Sequence, residues 1–201
     1  MRCVTMLMGI LLIAPVSQGR IEITPFGGQQ GGGEFEDFTT DVELELKEDS
    51  VYGVMVGFGQ DMSNTQLELY FSHQETELQG NGASSSASLF DLDIDYFHIG
   101  GTFGVGQGNL NPYIAASLGA TRFDPKSSTL GSETKFSLGL GAGVKWFPTN
   151  RVGLRLEGRL FGTLIDNESV AFSGPGGVLV VGHSDVLLQY NAIAGLIFVI
   201  P

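Results

Sequence analysis

The segment from Val152 to Phe161 alternates between two kinds of side chain, and this pattern constrains the fold more than any other feature of the chain. Aliphatic residues occupy even positions, namely Val152, Leu154, Leu156 and Leu160. Charged residues occupy odd positions, namely Arg155, Glu157 and Arg159. Because side chains of a β-strand point alternately to its two faces, one face here is aliphatic and the other is charged. A soluble sandwich buries the aliphatic face in its core. A membrane barrel exposes that face to lipid and encloses the charges.

Residues 1–19 are predicted to be a secretory signal peptide, followed by a single domain over residues 20–201. Arg2 supplies the positive charge, the apolar stretch runs from Val4 to Val16, and Ser17-Gln18-Gly19 forms a small-x-small cleavage site. The apolar stretch is shorter than the roughly 20 residues that a transmembrane helix needs. No later segment approaches that length, so we expect no helical span in the domain.

Composition and charge argue against several classes of function. The formal net charge of −12 argues against nucleic acid as a partner, because binding to phosphates requires basic residues. The only cysteine, Cys3, lies in the signal peptide, so the exported chain is expected to have no disulfide and no thiol chemistry. His98 has no second metal-binding residue at a useful spacing, and we expect no cofactor and no metal.

Eight segments of the chain have the composition and the period-two alternation of β-strands. They cover residues 20–35, 51–59, 65–77, 92–106, 112–123, 135–147, 151–164 and 186–200. The alternation of the fifth segment leaves its inward face undecided. In the eighth segment both faces are apolar toward the end, so Gln189 and Asn191 indicate which face points inward.

The connections between these segments alternate in length. Residues 60–64, 107–111 and 148–150 form short connections, whereas residues 36–50, 78–91, 124–134 and 165–185 form long polar ones. Outer-membrane barrels have both termini in the periplasm, short periplasmic turns and long external loops. The pattern therefore predicts an all-β fold, an eight-stranded antiparallel up-and-down transmembrane β-barrel. The alternative is a soluble lipocalin-like barrel, whose interior would be apolar and whose outer face would be charged.

Aromatic residues occur in pairs near the two ends of four predicted strands. The pairs are Tyr52 and Phe58, Phe97 and Phe103, Phe136 and Trp146, and Tyr190 and Phe198. The separation within each pair is even, so both rings project from the same face of their strand. Aromatic girdles at the two membrane interfaces have this arrangement. For any single ring, ordinary packing is the alternative.

The hairpin from Phe136 to Arg159 contains the run Leu-Gly-Leu-Gly-Ala-Gly-Val-Lys-Trp-Phe-Pro-Thr-Asn-Arg, and the strand from Tyr113 to Arg122 precedes it. Both resemble the small outer-membrane β-barrel superfamily, which includes OmpA-type and OmpX-type barrels. The resemblance implies an integral outer-membrane location after removal of the signal peptide. It also implies outer-membrane lipid and lipopolysaccharide as surroundings, and the barrel-assembly machinery as a partner during biogenesis.

The last strand of such proteins carries an assembly signal, with a glycine followed by hydrophobic residues at alternating positions. Gly195, Phe198 and Ile200 fit this signal. Ile193 stands where a polar residue is typical, and Pro201 follows in place of a terminal aromatic residue.

Polar residues on the predicted inward faces are the candidate site of the domain. They are Glu68, Tyr70, His98, Lys145, Arg155, Glu157, Arg159, Gln189 and Asn191. Because an eight-stranded barrel is just wide enough to be filled by side chains, these residues are expected to form an ion-paired plug. The alternative is a gate that rearranges to admit small solutes. Glycines predicted to face inward leave room for such a pore, namely Gly53, Gly57, Gly139, Gly141 and Gly143.

The first long connection is rich in acidic residues. They are Glu36, Asp37, Asp41, Glu43, Glu45, Glu48 and Asp49, with Lys47 as the single base among them. Such a segment is expected to be a solvated loop. Clustered carboxylates also suit hard cations, so a divalent ion bridging this loop to lipid phosphates is the alternative.

Two groups of residues have the composition of a hydrolytic site. They are His73 with Ser72 and Glu75, and His183 with Ser184 and Asp185. Neighbours in a strand point to opposite faces, so Ser72 is not expected to face His73, and we predict that the chain is not an enzyme. The apolar stretch from Val178 to Val181 is either a strand extension or a contact patch for a surface partner.

The predicted role is therefore structural or interactive, in envelope integrity or adhesion through an extracellular surface partner. A narrow or gated channel for small solutes is the second hypothesis. A lipid-modifying enzyme is the third.

Overall fold

A computed structural model describes residues 19–37, 42–60, 64–82, 85–106, 108–126, 131–164, 170–174, 177–181 and 186–201. Residues 1–18 of the predicted signal peptide lie outside these ranges. Eight long strands form the wall: β1 (Gly19–Gly32), β4 (Asp49–Gln60), β5 (Thr65–Gly82), β6 (Ser85–Gly104), β7 (Leu110–Pro125), β8 (Glu133–Trp146), β9 (Val152–Leu164) and β12 (Val186–Ile200). Four short strands lie between them: β2 (Glu34–Asp37), β3 (Val42–Leu46), β10 (Val170–Gly174) and β11 (Gly177–Val181).

The eight long strands form a closed antiparallel barrel. Each pairs with the next long strand along the chain, and β12 pairs with β1 to close the sheet. Closure leaves no unpaired backbone along the wall, which is the condition for a sheet to lie in lipid. The predicted eight-stranded up-and-down barrel is confirmed. In the part of the chain that the structure describes, no helix has the length and apolarity to span a membrane.

Strand β9 shows how the sequence pattern selects the two faces of the wall. Leu156 and Leu160 are 57% and 60% exposed on the outside, whereas Arg155 is 2% exposed and lies in the interior. The charges are thus enclosed and the aliphatic side chains face outward. The lipocalin-like alternative required the opposite arrangement and is wrong.

Two ends of the barrel can be told apart by their connections. Residues 61–64, 105–109 and 147–151 connect strands at one end, which we call the turn end. The ends of β1 and β12 that carry the chain termini also lie there, because Ile21 pairs with Ile200. The four connections predicted to be long lie at the other end, which we call the loop end.

The predicted loops at the loop end contain more strand than expected. Strand β3 lies within the predicted loop 36–50, and β2 spans the predicted boundary between the first strand and that loop. Strands β5 and β6 extend through most of the predicted loop 78–91. Toward the loop end β5 extends past the start of β4, and this part of β5 pairs with β3 instead of β4. The run Val-Glu-Leu-Glu-Leu of β3 alternates with period two, but its charge favoured the loop assignment. The apolar stretch Val178–Val181 lies in β11, which forms a separate two-stranded sheet with β10.

Candidate functional site

Four charged side chains form a closed ring in the barrel interior, which we call the ion-pair ring. It consists of Arg155, Glu157 and Arg159 from β9 and of Glu68 from β5. Arg155 Nη1 lies 2.6 Å from Glu68 Oε2, and Arg159 Nη2 lies 2.8 Å from Glu68 Oε1. Arg159 Nε lies 2.6 Å from Glu157 Oε1, and Arg155 Nε lies 3.0 Å from Glu157 Oε2. Each carboxylate oxygen therefore has a guanidinium partner.

The local structure of β9 explains the shape of this ring. Its three members stand at every second residue, so they point to the same face and follow one another along the barrel axis. Glu68 reaches them from β5, which is not adjacent to β9 in the sheet. The ring therefore connects two separated parts of the wall across the lumen.

Two tyrosines extend the ion-pair ring. Arg155 Nε donates a hydrogen bond to Tyr113 Oη at 2.7 Å, and Tyr113 in turn donates to Glu157. The guanidinium of Arg159 lies over the ring of Tyr70, 4.4 Å from its centroid, and Asn191 Nδ2 donates to Tyr70 Oη at 2.9 Å. Hydrogen bonds and cation–π contacts of this kind offset part of the cost of burying charge.

Lys145 forms a second buried contact nearer the turn end. Its Nζ lies 2.7 Å from Glu22 Oε2 and 2.6 Å from Gln66 Oε1. The Lys145–Glu22 pair and the ion-pair ring together contain three buried acidic and three buried basic side chains. Glu22 and Gln66 are absent from the sequence-predicted set. Glu22 was detectable, because Ile21 and Ile23 flank it on the opposite face of the first predicted strand.

Between the ion-pair ring and the loop end, the described interior side chains in the middle of the barrel carry no charge. Tyr96 donates to Gln189 Oε1 at 2.6 Å, and its ring stacks on Phe161 with centroids 4.2 Å apart. His98 lies between two hydroxyl groups, with Nδ1 3.1 Å from Ser117 Oγ and Nε2 2.8 Å from Ser137 Oγ. Both ring nitrogens of His98 therefore have hydroxyl groups as hydrogen-bond partners.

All nine sequence-predicted interior residues are buried inside the barrel. They are Glu68, Tyr70, His98, Lys145, Arg155, Glu157, Arg159, Gln189 and Asn191. The structure brings Glu68, Arg155, Glu157 and Arg159 into one ring, with Tyr70 and Asn191 beside it. Gln189 and His98 lie in the uncharged part of the interior, and both contact the aromatic group around Tyr96.

A polar cavity opens at the turn end of the barrel. Its volume is about 120 Å³, and Arg20, Glu22, Asn111, Tyr113 and Lys145 are among the residues that line it. Because Lys145 and Tyr113 also contact the buried charges, the cavity ends at the ion-paired interior.

The inward-facing glycines do not leave free space, contrary to the expectation from sequence. A Cβ atom at Gly53 would lie 2.1 Å from the carbonyl oxygen of Phe71 on the next strand. At Gly143 it would lie 2.4 Å from the carbonyl oxygen of Leu156 and 2.5 Å from Tyr113 Oη. At Gly57 it would lie 2.7 Å from the side-chain amide of Gln66, and at Gly139 2.6 Å from Ser117 Oγ. At Gly141 its nearest neighbour would be the carbonyl oxygen of Gly158 at 3.2 Å. These glycines allow close approach between strands, and the space beside them is occupied.

The eight aromatic residues of the predicted pairs all lie on the outer surface, between 40% and 55% exposed. Four lie toward the loop end: Tyr52, Phe97, Phe136 and Tyr190. Four lie toward the turn end: Phe58, Phe103, Trp146 and Phe198. Their exposed side chains form two levels on the wall, separated by aliphatic residues such as Leu138, Leu156 and Leu196.

The two candidate hydrolytic groups differ in what the structure describes. Ser72 is buried in the interior, whereas His73 lies on the outer face, so these two side chains point away from each other. His183, Ser184 and Asp185 lie outside the described residues, as does Asp41 of the acidic segment. Near the end of that segment, Glu48 accepts a hydrogen bond from Tyr190.

Comparisons with known proteins agree with this architecture. The family model described as the outer membrane protein beta-barrel domain matches residues 7–175. The solved structure of the outer membrane protein OprG from Pseudomonas aeruginosa has a TM-score of 0.64 at 12% identity, over 90% of this chain and 94% of that chain. Neisserial surface protein A has a TM-score of 0.58 at 12% identity, over 90% of this chain and 96% of that chain. The N-terminal β-barrel domain of Pseudomonas aeruginosa OprF has a TM-score of 0.51 at 16% identity, over 91% of this chain and 98% of that chain. A search among curated proteins finds no match.

Proposed function

Because the chain belongs to the outer membrane protein β-barrel domain family and is an integral protein of the outer membrane, we propose that it acts as a closed barrel with a structural or surface-interaction role. In this proposal the turn end faces the periplasm and the loop end faces the outside. Residues 1–19 direct export, and the role is envelope integrity or adhesion through the strands and loops of the outer end.

The ion-pair ring is the observation that carries this proposal. Arg155 and Arg159 engage all four carboxylate oxygens of Glu68 and Glu157, and the ring runs between strands that are not neighbours. An eight-stranded barrel leaves little space beyond its side chains. Opening a water path would require breaking charged contacts that are buried, which is costly.

We expect folded protein in planar lipid bilayers to give no discrete conductance steps, because the ion-pair ring blocks the lumen. A general porin inserted into the same bilayers serves as the positive control. The folded state of the inserted protein is checked by its heat-modifiable migration on a gel. Discrete openings from the wild-type protein would contradict the closed-barrel proposal and favour the channel.

The second candidate function is a gated channel for small solutes. The polar cavity at the turn end favours it, because the cavity already extends inward to Lys145 and Tyr113. Arg159 Nη1 also has no hydrogen-bond partner among the described residues, so this guanidinium is not fully satisfied in the closed arrangement. In this scheme the gate opens when the guanidinium groups exchange carboxylate partners.

Two further partners belong to the proposal. The outer surface between the aromatic levels contacts outer-membrane lipid, including lipopolysaccharide in the outer leaflet. The barrel-assembly machinery recognises the outward residues of β12. Phe198 and Ile200 are exposed on this face, whereas Ile193 and Ile197 point inward. A lipid-modifying activity is the third and weakest candidate, and mass spectrometry of lipopolysaccharide incubated with the protein tests it.

The lipid contact makes a prediction for Leu156, which lies on the outer face between the two aromatic levels. Replacing Leu156 by arginine is expected to lower the free energy of unfolding in bilayers by about 2–4 kcal/mol, because a charge is placed near the membrane midplane. Urea-induced unfolding in phospholipid vesicles measures the change. Val105→Arg is the matched control: Val105 is exposed beyond the aromatic level of the turn end, and its change should cost no more than about 1 kcal/mol. Equal effects of the two variants would contradict the membrane placement.

A further inference from the structure

A second cluster of ionisable side chains lies on the outer face of the wall, near the loop end. We call it the outer-rim cluster, and it consists of His73 and Glu75 on β5, Asp93 and Asp95 on β6, and Lys126 after β7. His73 lies beside Tyr52, which belongs to the aromatic level toward the loop end, and their ring centroids are 5.3 Å apart. The cluster is therefore separate from the lumen and lies on the outer face, next to the aromatic level toward the loop end.

The hydrogen bond between His73 and Asp95 determines the state of the imidazole. Nδ1 lies 2.7 Å from Asp95 Oδ1, and a carboxylate only accepts hydrogen bonds, so Nδ1 carries the proton. In the neutral ring the other nitrogen, Nε2, then presents a lone pair. A metal-binding imidazole usually donates its other N–H to a carboxylate in this way, which fixes the orientation of the ring.

The lone pair of His73 faces other negative groups. Nε2 lies 3.9 Å from Glu75 Oε1, and donor atoms of His73, Glu75 and Asp93 all lie within 4.8 Å of one another. An imidazole lone pair and two carboxylates this close together repel one another unless a cation lies among them. Lys126 supplies part of that charge, with Nζ 3.0 Å from Glu75 Oε2 and 3.2 Å from Asp93 Oδ1. One ammonium stands against the three carboxylates of the cluster, and it does not contact the imidazole among the described contacts.

We propose that the outer-rim cluster binds a divalent metal ion of the zinc class through His73 Nε2, Glu75 and Asp93. One imidazole nitrogen with two carboxylate oxygens suits Zn²⁺, whereas Ca²⁺ prefers sites made entirely of oxygen. Asp95 orients the imidazole, and Lys126 occupies the cation position until the metal displaces it. Three protein ligands leave one position of a tetrahedral Zn²⁺ ion open to water or another ligand.

Calorimetric titration of the folded protein in detergent micelles with ZnCl₂ at pH 7.5 tests the proposal, with CaCl₂ titrated in parallel. We expect one Zn²⁺ per chain and weaker binding of Ca²⁺. His73→Gln should weaken Zn²⁺ binding at least about tenfold, and Asp95→Asn, which leaves all three ligands in place, by about 10–100-fold. Lys126→Gln should strengthen binding, because it removes the competing ammonium.

Glu48→Gln is the matched control, because Glu48 is an exposed carboxylate of the loop end whose hydrogen-bond partner is Tyr190 on β12. This variant should bind Zn²⁺ as the wild type does, and each variant is checked for heat-modifiable migration. The proposal fails if Zn²⁺ gives no saturable heat, if Ca²⁺ binds equally well, or if His73→Gln leaves binding unchanged. None of these outcomes depends on whether the lumen conducts.

Discussion

Replacement of Arg155 by methionine is expected to lower the free energy of unfolding by about 3–5 kcal/mol, the usual cost of breaking a buried charge pair from one side. Arg155 holds one oxygen of Glu68 and one of Glu157, and both carboxylates are almost completely buried. Without the guanidinium these oxygens lose their strongest partner and remain in the barrel interior. Methionine keeps much of the side-chain volume, so the change reports mainly on charge.

Urea unfolding in vesicles, followed by the fluorescence of Trp146, measures this effect. Trp146 is the only tryptophan of the chain and is exposed on the outer face, so its emission reports on contact with lipid. Arg122→Met is the control, because Arg122 pairs with Asp124 on the exposed rim and should contribute no more than about 1 kcal/mol. An Arg155→Met variant as stable as the wild type would show that the ion-pair ring does not hold the barrel together.

A double variant separates pairing from burial. Adding Glu68→Gln to Arg155→Met removes a carboxylate together with its guanidinium, so the double variant should be more stable than Arg155→Met alone. Conductance of the same variants is informative for function. If the single variant conducts while the wild type is silent, the ring is the barrier to ions.

Replacement of Gly53 by alanine is expected to lower the free energy of unfolding by about 3 kcal/mol, the upper end of the usual cost of overpacking, through packing rather than charge. The new Cβ atom would lie 2.1 Å from the carbonyl oxygen of Phe71 and 2.9 Å from the Cα atom of Ser72. Both are backbone atoms, so relief requires β4 and β5 to move apart, which would weaken their paired register. The fraction of protein that refolds to the heat-modifiable form measures the result.

Gly27→Ala is the matched control for this prediction. Gly27 lies on β1, which pairs with β4, and a Cβ atom there would have its nearest neighbour 3.8 Å away at the carbonyl oxygen of Val51. This variant should refold as the wild type does. If both glycine variants refold equally well, close strand approach at Gly53 is not required for the fold.

The barrel could be predicted from sequence because lipid and lumen impose opposite demands on the two faces of each strand. In β9 and β8 the contrast between Leu156 and Glu157, or between Leu138 and Ser137, determines the inward face without further information. Strand β7 lacks that contrast, because residues 115–120 are mostly small on both faces. There the structure points Tyr113 and Phe123 inward and Ile114 and Leu118 outward.

The contacts of the site were beyond sequence reasoning because they depend on strand register. That Glu68 faces inward follows from alternation, but its pairing with Arg155 requires two strands that are not neighbours to lie at a particular height. Likewise His73 and Asp95 are opposite each other only in the register found between β5 and β6. The outer-rim cluster therefore could not be predicted from sequence, although both residues lie at outward positions of predicted strands.

The pairing of β1 with β12 has a consequence for how the chain reaches its folded state. Ile21 pairs with Ile200 and Gln30 with Asn191, so the contacts that close the sheet join the two ends of the chain. Contacts so distant in sequence carry a high entropic cost and form slowly. Until β12 arrives, the growing sheet has two unpaired edges, each able to pair with another copy. The pairing that removes every edge from the finished wall therefore makes assembly the stage most exposed to aggregation.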